Sequence, residues 1–257
     1  MDWSRTKTIL IWAFLLLDIF LGYQVYVTRI SGWSAQELTR SDKWETELFL
    51  SQQNITLATE IPQETPEMSY LQAEYLGINP FHMQELPGVK ATMEKKALHA
   101  ELIPPIQIRG QIVPGELLRQ LGPLLLYGEQ YTADLYQSNQ SRLLYWQTYE
   151  KVPVFVAPLE VSLDTGAILG YRQTYLQLRE QEGARQVISG YVALRSLVEK
   201  QIIEPGERIE SVSLGYFGSY DADIQSLVPV WRVIHDGKLH YVNAITAAVE
   251  RPLMTKR

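Results

Sequence analysis

Asp164-Thr165-Gly166 is the sharpest chemical signature in the chain. An aspartic protease uses this triplet, and its chemistry needs two carboxylates sharing one proton. That demands a second such loop or a symmetric dimer. The sequence holds one triplet and no second. Asp and Gly also suit tight turns, and the triplet joins two runs of strand character, Val152 to Leu163 and Ile168 to Leu178. A hairpin turn is therefore expected. His235 and His240 bracket another turn and can approach one another, but no Asp/Glu/His set at metal spacing accompanies them. They, with His82 and His99, are expected on the surface. No Ser-His-Asp order, nucleophile elbow or phosphate-binding glycine loop is present. The chain has no cysteine, which excludes thiol catalysis, disulfides and cysteine metal sites. No catalytic residue, metal ligand or cofactor site is expected, and the chain reads as a non-enzyme. Asn54-Ile55-Thr56 and Asn139-Gln140-Ser141 match the glycosylation sequon, a triplet that also arises by chance.

The charge that demands an explanation is Asp18. It sits inside the apolar run ILIWAFLLLDIFLGYQVYV, Ile9 to Val27. About 20 such residues cross a bilayer as a helix. A carboxylate near the centre of such a helix costs about 2.5–3.5 kcal/mol on insertion scales. Protonation or a polar partner on another helix lowers that cost, so Asp18 reads as a contact residue. Gly22 lies on the same helical face and permits close approach. Leu15 and Tyr26 extend that face at helical spacing.

A cleaved signal peptide would have a shorter apolar region, about 7–15 residues, so an uncleaved anchor is expected. The short tail, residues 1–8, carries Arg5 and Lys7, while Arg29 flanks the far side. The basic tail favours an inside N-terminus and an extracytoplasmic remainder, with Tyr23, Tyr26 and Trp33 at the outer interface. The net charge of −6 argues against nucleic acid, which calls for a basic stripe.

Beyond the anchor, the chain predicts a helix over 34–52, with Ser34 as N-cap and Glu37 completing a capping box. Tyr70 to Ile78 and Leu98 to Ile103 read as strands. Pro104-Pro105 is the expected boundary between a first subdomain, 34–105, and a second, 106–257. Pro114-Gly115 opens a helix with Leu117, Leu118, Leu121, Leu124 and Leu125 as its apolar face, with Gly122-Pro123 placed to end or bend it. Tyr131 to Tyr136 and Leu143 to Tyr149 predict a hairpin. Ala184 to Ile202 predicts an amphipathic helix ended by Pro205-Gly206. Ile209 to Phe217, Val228 to Ile234 and Leu239 to Ala244 predict strands. Runs of strands broken by few helices indicate an α+β fold of antiparallel sheets. The abundant Tyr and Trp suit either aromatic cores or interfaces.

The opening MDWSRTKTILIWAFLLLDIFLGYQ resembles the start of the YycI family, through Trp3, Ser4, Lys7, Thr8 and the apolar run with its polar residue. Leu227-Val228-Pro229-Val230-Trp231-Arg232-Val233 and Tyr241-Val242-Asn243-Ala244 resemble the same family and its relative YycH. Where that pattern often has a glycine after the Asn-Ala pair, this chain has Ala247-Ala248. The resemblance implies a single-pass membrane protein of Gram-positive bacteria with an extracytoplasmic α+β region. It implies a regulator that works with YycH on the WalK sensor kinase of the WalK/WalR two-component system, in part through transmembrane contacts. Leu15, Asp18, Gly22 and Tyr26 would then form the partner-binding face within the bilayer.

Overall fold

The structure is a computed structural model, and it describes residues 7, 12–22, 43–76, 88–94, 96–108, 110–181, 183–218 and 224–250. Residues 12–22 are helical (α1). The next described helix is Lys43–Gln52 (α2). Ser34, Glu37 and Leu38, the expected start of that helix, lie outside the described residues.

Beyond α2, strand pairing dominates the chain. The strands are β1 (Thr56–Leu57), β2 (Glu67–Met68), β3 (Leu71–Tyr75), β4 (Val89–Glu94) and β5 (Ala97–Gln107). Helix α3 (Pro114–Leu121) precedes β6 (Tyr131–Asp134), β7 (Arg142–Tyr149), β8 (Val152–Asp164), β9 (Ala167–Gln173), β10 (Leu176–Glu180) and β11 (Arg185–Gln186). Helix α4 (Gly190–Glu199) then leads to β12 (Arg208–Phe217), β13 (Ile224–His235), β14 (Lys238–Asn243) and β15 (Val249–Glu250). The backbone of the large sheet runs β10-β3-β13-β12-β8-β9-β5-β4, with β6 and β7 branching from β8 and β14 and β15 from β13. Most pairs are antiparallel, as expected. β12 is the exception: it runs parallel to β1 and β8, so the sheet is mixed.

Turn chemistry fixes these hairpins. Thr165 and Gly166 have φ of 44° and 79°, and Asp236 and Gly237 have 43° and 71°. Two consecutive positive φ values make the turn whose twist matches paired strands. Glu150-Lys151, at 49° and 70°, makes the same turn between β7 and β8 without a glycine.

Strand β8 belongs to both halves of the molecule. Its pairing with β7 shifts between Trp146 and Gln147. Val154 and Ala157 face one core, with α4, Trp231 and Val233. Leu159, Val161 and Leu163 face a second, with Leu117 and Leu121 of α3. A third, aromatic cluster joins Trp146, Phe155, Phe217 and Tyr241. Pro104-Pro105 falls inside β5, where the pairing with β9 is irregular between Glu101 and Ile106.

Two expectations need correction. Helix α4 starts at Gly190, not Ala184. The Ser189 hydroxyl caps it by accepting the Val192 N–H, and Arg185-Gln186 pair instead with β2. Val187 and Ile188 are buried as predicted, but from an extended chain. The helix also ends at Glu199, before Pro205, and Gln201 turns the chain with φ 56°. The second correction is that Ile168 to Leu178 is not one strand. The Thr174 N–H is taken by the Pro158 carbonyl, and β10 leaves β9 to pair with β3.

At that break a side chain replaces a strand. The Gln147 amide accepts the Leu176 N–H at 2.8 Å and donates to the Leu176 carbonyl at 2.7 Å. Gln173 does the same for Leu126, at 3.2 and 2.6 Å. Gln147→Leu is expected to lower stability by about 2 kcal/mol or more, because two buried backbone groups lose partners worth roughly 1–3 kcal/mol each when stranded. Urea unfolding checks the loss, and a Gln147→Leu midpoint equal to that of the intact chain would contradict it.

Candidate functional site

The predicted face within the apolar run is helical where it is described. Leu15, Asp18 and Gly22 all lie on α1 and are exposed. Nothing approaches within 4 Å of a Cβ built on Gly22. Tyr26 lies outside the described residues. Trp12, Phe14, Leu16, Ile19 and Phe20 of α1 are each about 60% exposed. Apart from Asp18 the helix is thus apolar round its circumference, a pattern proper to a helix surrounded by protein or lipid. Among the described residues no helix is long and apolar enough to cross a membrane.

The Asp164-Thr165-Gly166 triplet is the β8–β9 hairpin turn, as expected: β8 ends on Asp164 and β9 begins at Ala167. Of the sequons, Asn139 uses its side-chain oxygen within its own turn, accepting from Ser141 and Arg142 N–H groups at 3.0 and 2.9 Å. His82 lies outside the described residues. His99 stands on the outer face of β5, 4.0 Å from Glu94.

His235 and His240 do meet, with ring centroids 5.1 Å apart and the planes nearly parallel. His235, however, is fully buried, not on the surface. Its strand position on β13 points it inward, between β12 and β14. Its Nδ1 lies 2.7 Å from Glu207 Oε2, off the line of a well-aligned hydrogen bond, and its Nε2 has no hydrogen-bond partner among the described residues. Glu207 also receives Lys238 Nζ at 2.6 Å and the Glu204 N–H at 3.0 Å. The Lys238 bond holds the Glu207 carboxyl below the usual carboxylate range, against the opposing pull of its partial burial. Among the described residues no group of three His, Asp or Glu side chains is placed to hold a metal ion.

A second buried charge cluster escaped the sequence reading. Arg232 Nη1 donates to Asp134 Oδ2 in the interior, and the guanidinium stacks 4.6 Å over the Phe155 ring. Trp146 Nε1 donates to the same carboxylate at 2.8 Å, and the N–H groups of Tyr136 and Gln137 donate to its other oxygen. Burial raises the Asp134 carboxyl pKa, but the Arg232 and Trp146 bonds outweigh it and the group sits below its ordinary range. This is a carboxylate saturated with donors, unsuited to take up a proton from a substrate. The available signal was a lone cation in the apolar run Leu227 to Val233, where an inward-facing arginine requires an acid opposite. The buried tyrosines offer no base either: burial pushes Tyr241 up to about 12 and, with Glu47, Tyr191 likewise up to about 12.

Known proteins give this arrangement its context. No curated protein is similar to the chain at a significant level. An uncharacterized protein from Eubacterium rectale shares its fold, with a TM-score of 0.50 at 10% identity over 77% of this chain and 91% of that one. YycH from Bacillus subtilis is similar at a TM-score of 0.43 and 16% identity, over 70% of this chain and 55% of that one. The C-terminal domain of YpeB from Bacillus megaterium gives 0.37 and 11%, over 70% and 88%. The family described as YycI protein matches residues 34–245, from before α2 to just past β14. With most of its length matched, this chain belongs to the YycI family.

Proposed function

We propose that the chain is a non-enzymatic regulator of a WalK-type sensor histidine kinase, acting with a YycH-like protein. The family match over 34–245 carries this reading. Residues 9–27 anchor the chain in the cell membrane, with the N-terminus inside and the folded region outside. The apolar circumference of α1 supports that placement. Leu15, Asp18, Gly22 and Tyr26 form the face that meets partner helices, and the exterior supplies further contacts. A regulator shifts a kinase only by binding one of its states better than another. A coupling of about 1–3 kcal/mol suffices, five- to roughly 150-fold in the equilibrium.

Crosslinked pull-down from membranes tests both parts. The intact chain should recover a sensor kinase and a YycH-like protein. Asp18→Leu removes the costly carboxylate, so it should insert at least as well and yet lose most of that recovery. Equal recovery with both chains moves the contact to the exterior region. Recovery of neither partner by the intact chain overturns the regulator reading.

A further inference from the structure

Helix α2 carries apolar side chains on two opposite sides. On one side Thr46 and Leu50 are buried, and Phe49 packs against the core that holds α4, with the Arg195 guanidinium 5.7 Å over its ring. The Tyr191 hydroxyl of α4 donates to Glu47 Oε1 at 3.0 Å and fastens α2 alongside. Successive helical residues are turned by about 100°, so Trp44, Leu48 and Ser51 project from the opposite side. There Trp44 is 68% and Leu48 42% exposed. Lys43 and Glu47 run along one margin of this side and Glu45 along the other, with no charge between. A surface helix ordinarily turns its charged face to solvent. Here the outward face has large apolar groups at the three-and-four spacing of a helix–helix seam.

The margins decide what fits. A second copy of the chain would set Glu45 and Glu47 against the same two acids, and like charges flanking such a seam oppose pairing. A lipid surface recruits helices through Lys and Arg beside the apolar groups. This helix has only Lys43, which lies 3.8 Å from Glu47. A helix from another protein, apolar along its seam and basic along its margins, meets both the apolar stripe and the acids. We propose that the Trp44–Leu48–Ser51 face of α2 docks such a helix, carried by another membrane-anchored protein. This deepens the regulator reading by placing an exterior contact on the first described element beyond α1, and rests on that reading for the partner's place in the membrane.

The seam is short. Ten residues of helix span about 15 Å, and only three side chains face outward along it. Its affinity in free solution is therefore small. Two proteins anchored in one membrane meet at a high effective concentration, so a weak contact becomes sufficient. A contact of that strength also releases readily, as a subunit must if it is to favour one state of its partner over another.

The chain has no cysteine, so one replacement puts a benzophenone maleimide at one known position. In intact membranes the full chain with Leu48→Cys or Ser51→Cys, so labelled, should form adducts with the sensor kinase or the YycH-like protein. The adducts should map to a helical stretch with Lys or Arg beside its apolar stripe. Glu101→Cys, exposed on β5, is the control and should give almost none. Adding Trp44→Ser to Leu48→Cys should lower the yield about tenfold or more, and adding Glu45→Lys about fivefold or more. Both residues are exposed, so the urea midpoint should stay where it is in the intact chain. Adducts with a second copy, adducts with lipid alone, a mapped segment with acidic margins, or equal yields at Glu101→Cys overturn the seam. If the pull-down recovers both partners while Leu48→Cys and Ser51→Cys give no adduct, the seam fails and the regulator reading stands. Adducts with a basic-margined helix of some other membrane protein keep the seam and refute the regulator reading.

Discussion

Replacing Arg232 by methionine is expected to destabilise the protein by about 3–5 kcal/mol, the usual cost of removing one partner from a buried ion pair. Asp134 would keep its donors from Trp146, Tyr136 and Gln137 but lose its counter-charge in a site where it is fully enclosed. The Phe155 ring would lose the guanidinium stacked on it as well. The double variant Arg232→Met, Asp134→Asn removes both charges and should recover part of the loss. The Asn oxygen can still accept from the Tyr136 and Gln137 N–H groups that shape the β6–β7 turn. Guanidinium unfolding followed by tryptophan fluorescence checks the pair. A single variant within about 1 kcal/mol of the intact chain would mean that the ion pair sits in a far wetter site than its burial indicates.

Trp231→Ala is expected to cost a similar amount, about 3–5 kcal/mol for a buried aromatic cut to a methyl. Trp231 is completely buried in the core beneath α4. Its Nε1 donates to the Ile188 carbonyl at 2.8 Å. That bond matters because Ile188 belongs to the extended stretch leading into the Ser189 cap of α4. Trp231→Phe separates the two contributions: it retains most of the apolar volume and loses the bond, so about 1–3 kcal/mol of the effect should remain. Loss of helical signal at 222 nm at a lower temperature than loss of sheet signal would place the first failure at α4. Coincident transitions in Trp231→Ala would show that helix and sheet unfold as one unit.

The sequence made the strands legible because period-two burial leaves a direct trace. In β3 the pattern Leu71-Gln72-Ala73-Glu74 alternates inward and outward without a break. The Asp-Thr-Gly and Asp-Gly turns were legible for a different reason, through Gly166 and Asp236-Gly237, since few residues tolerate the positive φ these positions adopt. Glu150-Lys151 adopts the same angles and gave no sign, because the strands on either side impose them. Helix α4 was over-read because Val187 and Ile188 fit a helical stripe. Tertiary contacts, through Ser189 and the pairing of Arg185 with Met68, decided otherwise. At the site level, Leu15, Asp18 and Gly22 share a helix as their spacing requires, because that depends on local geometry alone. The clusters around Glu207 and Asp134 draw on residues far apart in the chain, such as Asp134 and Arg232. A single sequence carries no distance between them.

The glutamines that stand in for strands bear on how the protein ages. Gln147 and Gln173 each offer one donor and one acceptor to a backbone that needs both. Deamidation would convert either into a carboxylate, which only accepts, and would set a negative oxygen against the carbonyl of Leu176 or Leu126. The hydrolysis needs water at the amide, and both side chains are almost fully enclosed. The folded state thus shelters the two amides whose chemical loss it could least tolerate, and the damage accrues to whatever fraction of the chain is open at a given time. Any condition that opens the sheet, even briefly and reversibly, would leave a permanent record of its duration at these two positions.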